Sequence, residues 1–157
     1  LKEKDVPYMQ RTRDYYRAQG YTSDYQWAHH GETDFSKLKK PLNKSRVTVI
    51  TTAMPDNSAS KKMREVTISS CLPPPNSMFT DELSWDKENT HTRDVPSFLP
   101  IKQLTALANK GKIGSLSSRF FSLPTEYSQR NTNEIDAPLI LKECRKDKVD
   151  LALLVPL

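Results

Sequence analysis

Cysteine is nearly absent from this chain: Cys71 and Cys144 are the only two in 157 residues, far apart and without paired spacing. A disulfide scaffold and a cysteine-based zinc site are therefore not expected, and the compartment read from this usage is reducing, with the cytoplasm as default. Long apolar runs are missing too. None approaches the ~18 residues that a membrane helix needs, and no signal-peptide pattern opens the sequence. Glycine is scarce, four against eleven prolines. No glycine-rich turn follows a strand, since Gly111 and Gly114 come after a helical pattern, so a nucleotide site of the usual kind is not expected. Cys-x-x-Cys, His-Glu-x-x-His and Gly-x-Ser-x-Gly do not occur. Neither internal repeats nor low-complexity tracts are present. No metal site and no cofactor held by this chain are expected.

The charge is there, but scattered. The net charge is +5, and Lys39 with Lys40, Lys61 with Lys62, and Arg145 with Lys146 and Lys148 form short runs broken by acids or apolar residues. This pattern describes a solvated surface, with no nucleic-acid module and no membrane partner. The length allows one domain with a modest core, or part of a larger one. The first residue, Leu1, reads as an alternative start or as the edge of missing upstream sequence.

The periodic segments alternate. "DVPYMQRTRDYYRAQGY" predicts a helix over residues 7–19, with Asp5 as N-cap, Pro7 in the first turn and Gly20 in the left-handed C-terminal position. Its Tyr8, Tyr15 and Tyr16 are expected to pack on a neighbour. A polar connection follows, in which His29 and His30 beside Trp27 read as surface and packing residues. "RVTVITTA" predicts a buried strand over 46–53, and "VTIS" a short one over 66–69. The stretch from Ser70 to Val95 is long and irregular, as functional or mobile loops are. In "SFLPIKQLTALANKGKIG", Ser97 is the expected cap, Pro100 falls in the first turn, Ile101, Leu104, Leu107 and Ala108 share a face, and Gly111 ends the helix. In "EIDAPLILKECRKDK", Asp136 is the expected N-cap, Pro138 sits inside the first turn, and Ala137, Ile140, Leu141 and Cys144 form the packing face. "VDLALLVPL" then predicts a strand buried on both faces.

This order implies an α/β fold: the N-terminal part of a doubly wound, mostly parallel sheet domain, apparently incomplete. Residues 1–45 are expected to form a helix and connection, and 46–157 the first part of the α/β domain, truncated at the end of the buried strand. Ligands gather beyond the carboxyl ends of such strands, which marks Thr51 and Thr52 as pocket candidates, although both also suit a strand as β-branched residues. "SWDKENTHTRD" carries Asp86, Glu88, His91, Arg93 and Asp94. A histidine near carboxylates suits acid–base work, and a solvated loop with turn hydrogen bonds explains the same residues. Cys144 reads as a core residue, and nothing in the sequence lowers the pKa of Cys71.

Five segments in order, "YMQRTRDYYRAQGYTSDYQWAH" (8–29), "FSKLKKPLNKSRVTVITTA" (35–53), "WDKENTHTRDVPSFLPIKQL" (85–104), "GKIGSLSSRFF" (111–121) and "PTEYSQRNTNEIDAP" (124–138), resemble the selenoprotein B family of the glycine, sarcosine, betaine and D-proline reductases. The likeness is weaker over 54–84. In that family the strand matching "VDLALLVP" runs directly into a selenocysteine or cysteine. The resemblance implies that the catalytic residue is expected immediately after Leu157, with a UGA codon read as a stop, and that none lies within the chain. It also implies reductive C–N cleavage of a small amine, other reductase-complex subunits as partners, an oligomer as a possibility, and pocket roles for Asp86, Thr90, His91 and Asp94. A non-catalytic α/β binding module, or a thiol-redox relative with another substrate, is the alternative expectation.

Overall fold

The computed structural model describes residues 7–24, 29, 31–32, 36–57, 65–83, 88–125 and 128–157. The chain divides into two compact units, Leu1–Asp34 and Phe35–Leu157, so the connection at 36–45 belongs with the sheet.

The first unit is built on helix α1, Tyr8–Ala18. It ends as its sequence predicts: Gly20 takes φ +90°, its N–H donates to Arg17 O, and Tyr21 N–H reaches back to Tyr16 O at 3.1 Å. These two bonds satisfy carbonyls that a helix end would otherwise leave unpaired. The expected packing of the tyrosines on a neighbour is not what they do. Tyr8, Tyr15 and Tyr16 are exposed, and Tyr16 instead meets Tyr15 and Tyr21 edge to face at 5.6 and 5.7 Å. That ring contact is the apolar clasp that accompanies this kind of cap. His29 is exposed, while Asp5, Trp27 and His30 lie outside the described residues.

The second unit is α/β. Strand β1, Arg46–Thr51, is its centre. Along one side runs β7, Leu151–Val155, parallel and in register from Val47↔Leu151 to Thr51↔Val155. Along the other run two short parallel strands, β5 at Ser115–Leu116 and β6 at Arg119–Ser122. Between these two, Ser117 N–H still donates to Val47 O, and the Thr48 hydroxyl donates to Arg119 O at 2.9 Å. β5 and β6 therefore act as one interrupted strand. Beyond β6 lies β3, Thr67–Ser70, antiparallel, while β2, Met54–Pro55, and β4, Met78–Phe79, make a separate small ribbon.

Side-chain alternation along the strands sends successive residues to opposite faces. Val47, Val49 and Phe120 meet helix α2, Ile101–Asn109, through Ile101 and Leu104. Ile50 and Phe121 meet helix α4, Ala137–Lys146, through Ile140 and Cys144. Helices thus cover both faces, as the doubly wound pattern requires. Phe98, Phe120 and Phe121 are the largest fully buried side chains, each stabilising the fold by roughly 1.5–3 kcal/mol relative to exposure. Arg119 clamps β6 to α4: its guanidinium donates to Asp147 through Nε and Nη2 and to Glu143 through Nη2, all at 2.8 Å. Among the described residues, no helix is long and apolar enough to cross a membrane.

Four local expectations are corrected. Ser97 does not cap α2; its hydroxyl donates to Asp94 O at 2.7 Å within a short 3-10 turn, and Pro100 precedes the helix without a side-chain cap. Leu107 is exposed, so the packed face narrows to buried Ile101 and Leu104 with half-buried Ala108 against the same core. Asp136 is not an N-cap: it is buried inside a continuous helical stretch that starts with α3, Gln129–Asn131, under a Ser128 hydroxyl accepting Asn131 N–H. Pro138 survives there because a wide π turn, Thr132–Asp136, precedes it, loosening the crowding that a proline ring makes with the carbonyl four residues back. Of the predicted α4 face, Ile140 and Cys144 are buried while Ala137 and Leu141 are exposed.

The last strand is the largest correction. β7 is not buried on both faces; Leu151 and Val155 are half-buried, whereas Leu153 is 37% and Leu154 69% exposed. Among the described residues it pairs only with β1, and α4 covers Ile50 without extending to Leu154. Apolar composition fitted a central strand; among the described residues it stands at an edge.

Candidate functional site

β1 and β6 are neighbours, paired at their last rungs through Ile50↔Phe121 and Thr51↔Ser122. From Thr51 the chain leads towards α2 on one face of the sheet, and from Ser122 towards α4 on the other. Adjacent parallel strands whose connections diverge in this way open a crevice beyond their carboxyl ends. A cavity of about 330 Å³ lies there. Thr52 lines it from just past β1, Met54 from the start of β2, Pro124 and Thr125 from just past β6, and Leu157 from just past β7. Phe79, Thr80, Glu82 and Leu83, from β4 and the turn after it, close the remaining side.

Local bonds hold these walls. Leu157 N–H donates to the Thr52 hydroxyl at 2.9 Å, and that hydroxyl donates to Leu157 O at 3.4 Å, so the ends of β1 and β7 are tied together at the cavity. The Thr80 and Thr92 hydroxyls share a 2.6 Å hydrogen bond, and Leu83 N–H donates to Thr80 O. Thr52, Thr80 and Thr125 are the threonines of the lining, while Met54, Leu83 and Pro124 make it partly apolar. Among the described residues that line it, Glu82 is the only one with a charged side chain. The lining therefore suits a small ligand with a cationic, hydrogen-bonding end.

Of the residues singled out in the sequence, Thr52 lines the cavity. Thr51 does not: it is 1% exposed, and its hydroxyl accepts Ala53 N–H at 3.2 Å, shaping the turn that carries Thr52. Thr90, His91 and Asp94 are exposed and are not among the lining residues, and Asp94 O instead anchors the 3-10 turn before α2. Their segment reaches the cavity wall through Thr92, which the sequence reading passed over. Asp86 lies outside the described residues. Phe79, Thr80 and Glu82 were also passed over, because they sit in an aperiodic stretch with no motif. Pro124 and Thr125 carried a signal, as the residues following a strand, but that strand was itself hidden.

The thiols are far from reactive. Cys71 is 2% exposed, and burial pushes its pKa up to about 11. Cys144 lies in the core on the opposite face, its pKa raised by burial and then by nearby Asp147. A buried neutral thiol is a poor nucleophile. Among the described residues, no three His, Cys, Asp or Glu side chains come together as a metal set. Ser122, on the last rung of β6, is fully buried, and its hydroxyl has no hydrogen-bond partner among the described residues.

No protein-family model, curated protein or solved structure matches the chain.

Proposed function

We propose that the sheet-bearing unit supplies the amine-binding pocket of a reductase of the glycine, sarcosine, betaine and D-proline type. The observation that carries this reading is a carboxylate, Glu82, among threonines at a cavity beyond the carboxyl ends of parallel strands. An ammonium group there meets one carboxylate and the Thr52, Thr80 and Thr125 oxygens as acceptors, and the Phe79 ring adds a surface that attracts cations. The family likeness adds the reaction. A selenolate or thiolate attacks the carbon that bears the nitrogen, the new bond to carbon forms as the C–N bond breaks, and the nitrogen departs with that electron pair and takes up a proton, as a free amine or, for D-proline, as the amine end of the opened ring. Neither Cys71 nor Cys144 fits that role, so the reading assigns it to the segment that follows β7. The Thr52–Leu157 tie would deliver such a segment to the cavity mouth.

Calorimetric titration of the four amines and of acetate tests the pocket. Amine binding that weakens about tenfold or more in Glu82→Gln, with acetate binding no better than background, is the expected result, since a lost charge-assisted bond costs roughly 1.5–3 kcal/mol. Equal binding of acetate and amine would remove the basis of the proposal. The buried state of both thiols favours a second reading, a binding module without chemistry. With protein whose chain continues past β7, release of ammonia, methylamine or trimethylamine, or ring opening of D-proline, in the presence of a dithiol supports the reductase, and amine binding without cleavage by that protein supports the module.

A further inference from the structure

The opposite end of the sheet is a basic rim. The amino ends of β1, β5 and β7 gather three segments there, 36–46, 110–114 and 145–150. Gly114 N–H donates to Leu42 O and Ser45 O, and the Asp150 carboxylate accepts Arg46 N–H at 2.8 Å, which fixes the segments against one another. Segment 36–46 has five basic residues, Lys37, Lys39, Lys40, Lys44 and Arg46, and no acid. Exposed Lys112 and Lys148 extend the patch. The acids nearby are already engaged, Asp150 with Lys40 at 2.7 Å and Asp147 with Arg119 at 2.8 Å. Positive charge is therefore left over at this end, while Glu82 marks the other.

Helix ends explain part of it. α2 and α4 both finish at this rim, where their dipoles favour cations, which accounts for Lys110 and Lys146. Lys37, Lys39 and Lys44 follow no α-helix and need another reason. Among these lysines, Leu38 and Leu42 stand 40% and 45% exposed. Cations around exposed leucines describe a surface for protein contact, with charge guiding approach and apolar area adding contact. The features of nucleic-acid sites are lacking in these segments: no aromatic residue offers a stacking face, and both helices present their phosphate-repelling carboxyl ends.

We infer that this amino-end rim is a docking face for an acidic protein surface, remote from the amine pocket and independent of the reading given to it. The test uses the whole chain and two labelled probes, poly-L-glutamate and an oligo-thymidine of equal charge, followed by fluorescence anisotropy. The rim variant is Lys39→Glu, Lys44→Glu and Lys112→Glu; the control variant makes the same change in net charge at Lys102, Arg130 and Lys142. Expected is saturable poly-glutamate binding that weakens about tenfold in the rim variant, changes less than about twofold in the control, and falls with salt. Lys→Gln changes at the three rim positions carry the test if circular dichroism shows the reversals unfolded. Equal loss in both variants would reduce the effect to net charge and overturn the inference. So would oligo-thymidine binding as tightly through the same lysines, which would make the face a nucleic-acid site.

Discussion

Replacing Gly114 by alanine should unfold the amino end of the sheet out of proportion to the single methyl group added. An added Cβ would stand 2.5 Å from the Lys44 carbonyl carbon, 2.7 Å from Ser45 N and 2.9 Å from Lys44 Cα. Comfortable contacts begin near ~3.5 Å, so the two backbones must part by about 1 Å. That movement stretches the bonds that Gly114 N–H makes to Leu42 O and Ser45 O at 3.1 and 3.0 Å, and the Ser115 N–H bond to Ser45 O at 3.2 Å. Losing the equivalent of two such bonds costs about 2 kcal/mol, and overpacking adds about 1 kcal/mol or more. The sum is roughly 3 kcal/mol. For a chain of this size that lowers Tm by about 6–12 °C. Gly111→Ala is the built-in comparison: φ is +64° there, but nothing stands within 4 Å of the added atom. It should cost only the left-handed strain, about 1 kcal/mol. Thermal and urea melts followed by circular dichroism decide the matter, and a Gly114→Ala loss no larger than that of Gly111→Ala would refute the close-approach argument.

Lys148 closes α4 at φ +56°, with its own N–H donating to Arg145 O and Val149 N–H donating to Cys144 O, a place where glycine is unstrained; Lys148→Gly should raise stability by about 0.5–1 kcal/mol, and a drop in the urea midpoint would count against this. Ser122→Ala removes a buried hydroxyl that has no partner among the described residues, so it should be neutral or stabilising by up to about 1 kcal/mol, and a clear loss would reveal a partner for that hydroxyl. Arg119 holds Glu143 below the usual carboxylate range, and Lys40 does the same for Asp150. Because the folded pKa lies below the unfolded one in both cases, the stabilisation is present above about pH 4.5 and is lost as pH falls through the folded values. Melts of Glu143→Gln should therefore fall below the parent at pH 7 and converge with it in acid; a gap that stays constant across that range would show that ionisation is not the cause.

The parts of the fold legible in the sequence are those where one local rule acts alone. β1 is recognisable because Val47, Thr48, Val49 and Ile50 are consecutive β-branched residues, and the ends of α1 and α2 because Gly20 and Gly111 take the left-handed conformation. β5 and β6 went unseen because serines interrupt them. Only the assembled sheet gives Ser115, Ser117 and Ser122 their buried or half-buried places. Asp136 and Pro138 misled for a related reason: each is a good helix starter, but Ser128 starts the helix earlier and the π turn carries the chain past both. The site divided in the same way. Topology alone pointed to the crevice and to Thr52, whereas Thr80 and Glu82 reach it through a turn set by the Thr80–Thr92 hydroxyl pair, a contact that no spacing rule encodes.

The central position of β1 also has a meaning in time. Arg46 finds its edge partner Asp150 across 104 residues of chain. At roughly 5–20 residues per second of synthesis, β1 leaves the ribosome about 5–20 s before β7 exists to pair with it. During that interval a strand of valine, threonine and isoleucine has an open edge, the kind of template that seeds aggregation. The most buried strand of the mature sheet is thus the most vulnerable one while the protein is being made, and its early guardian is the β5–β6 side, which is complete once Ser122 has emerged.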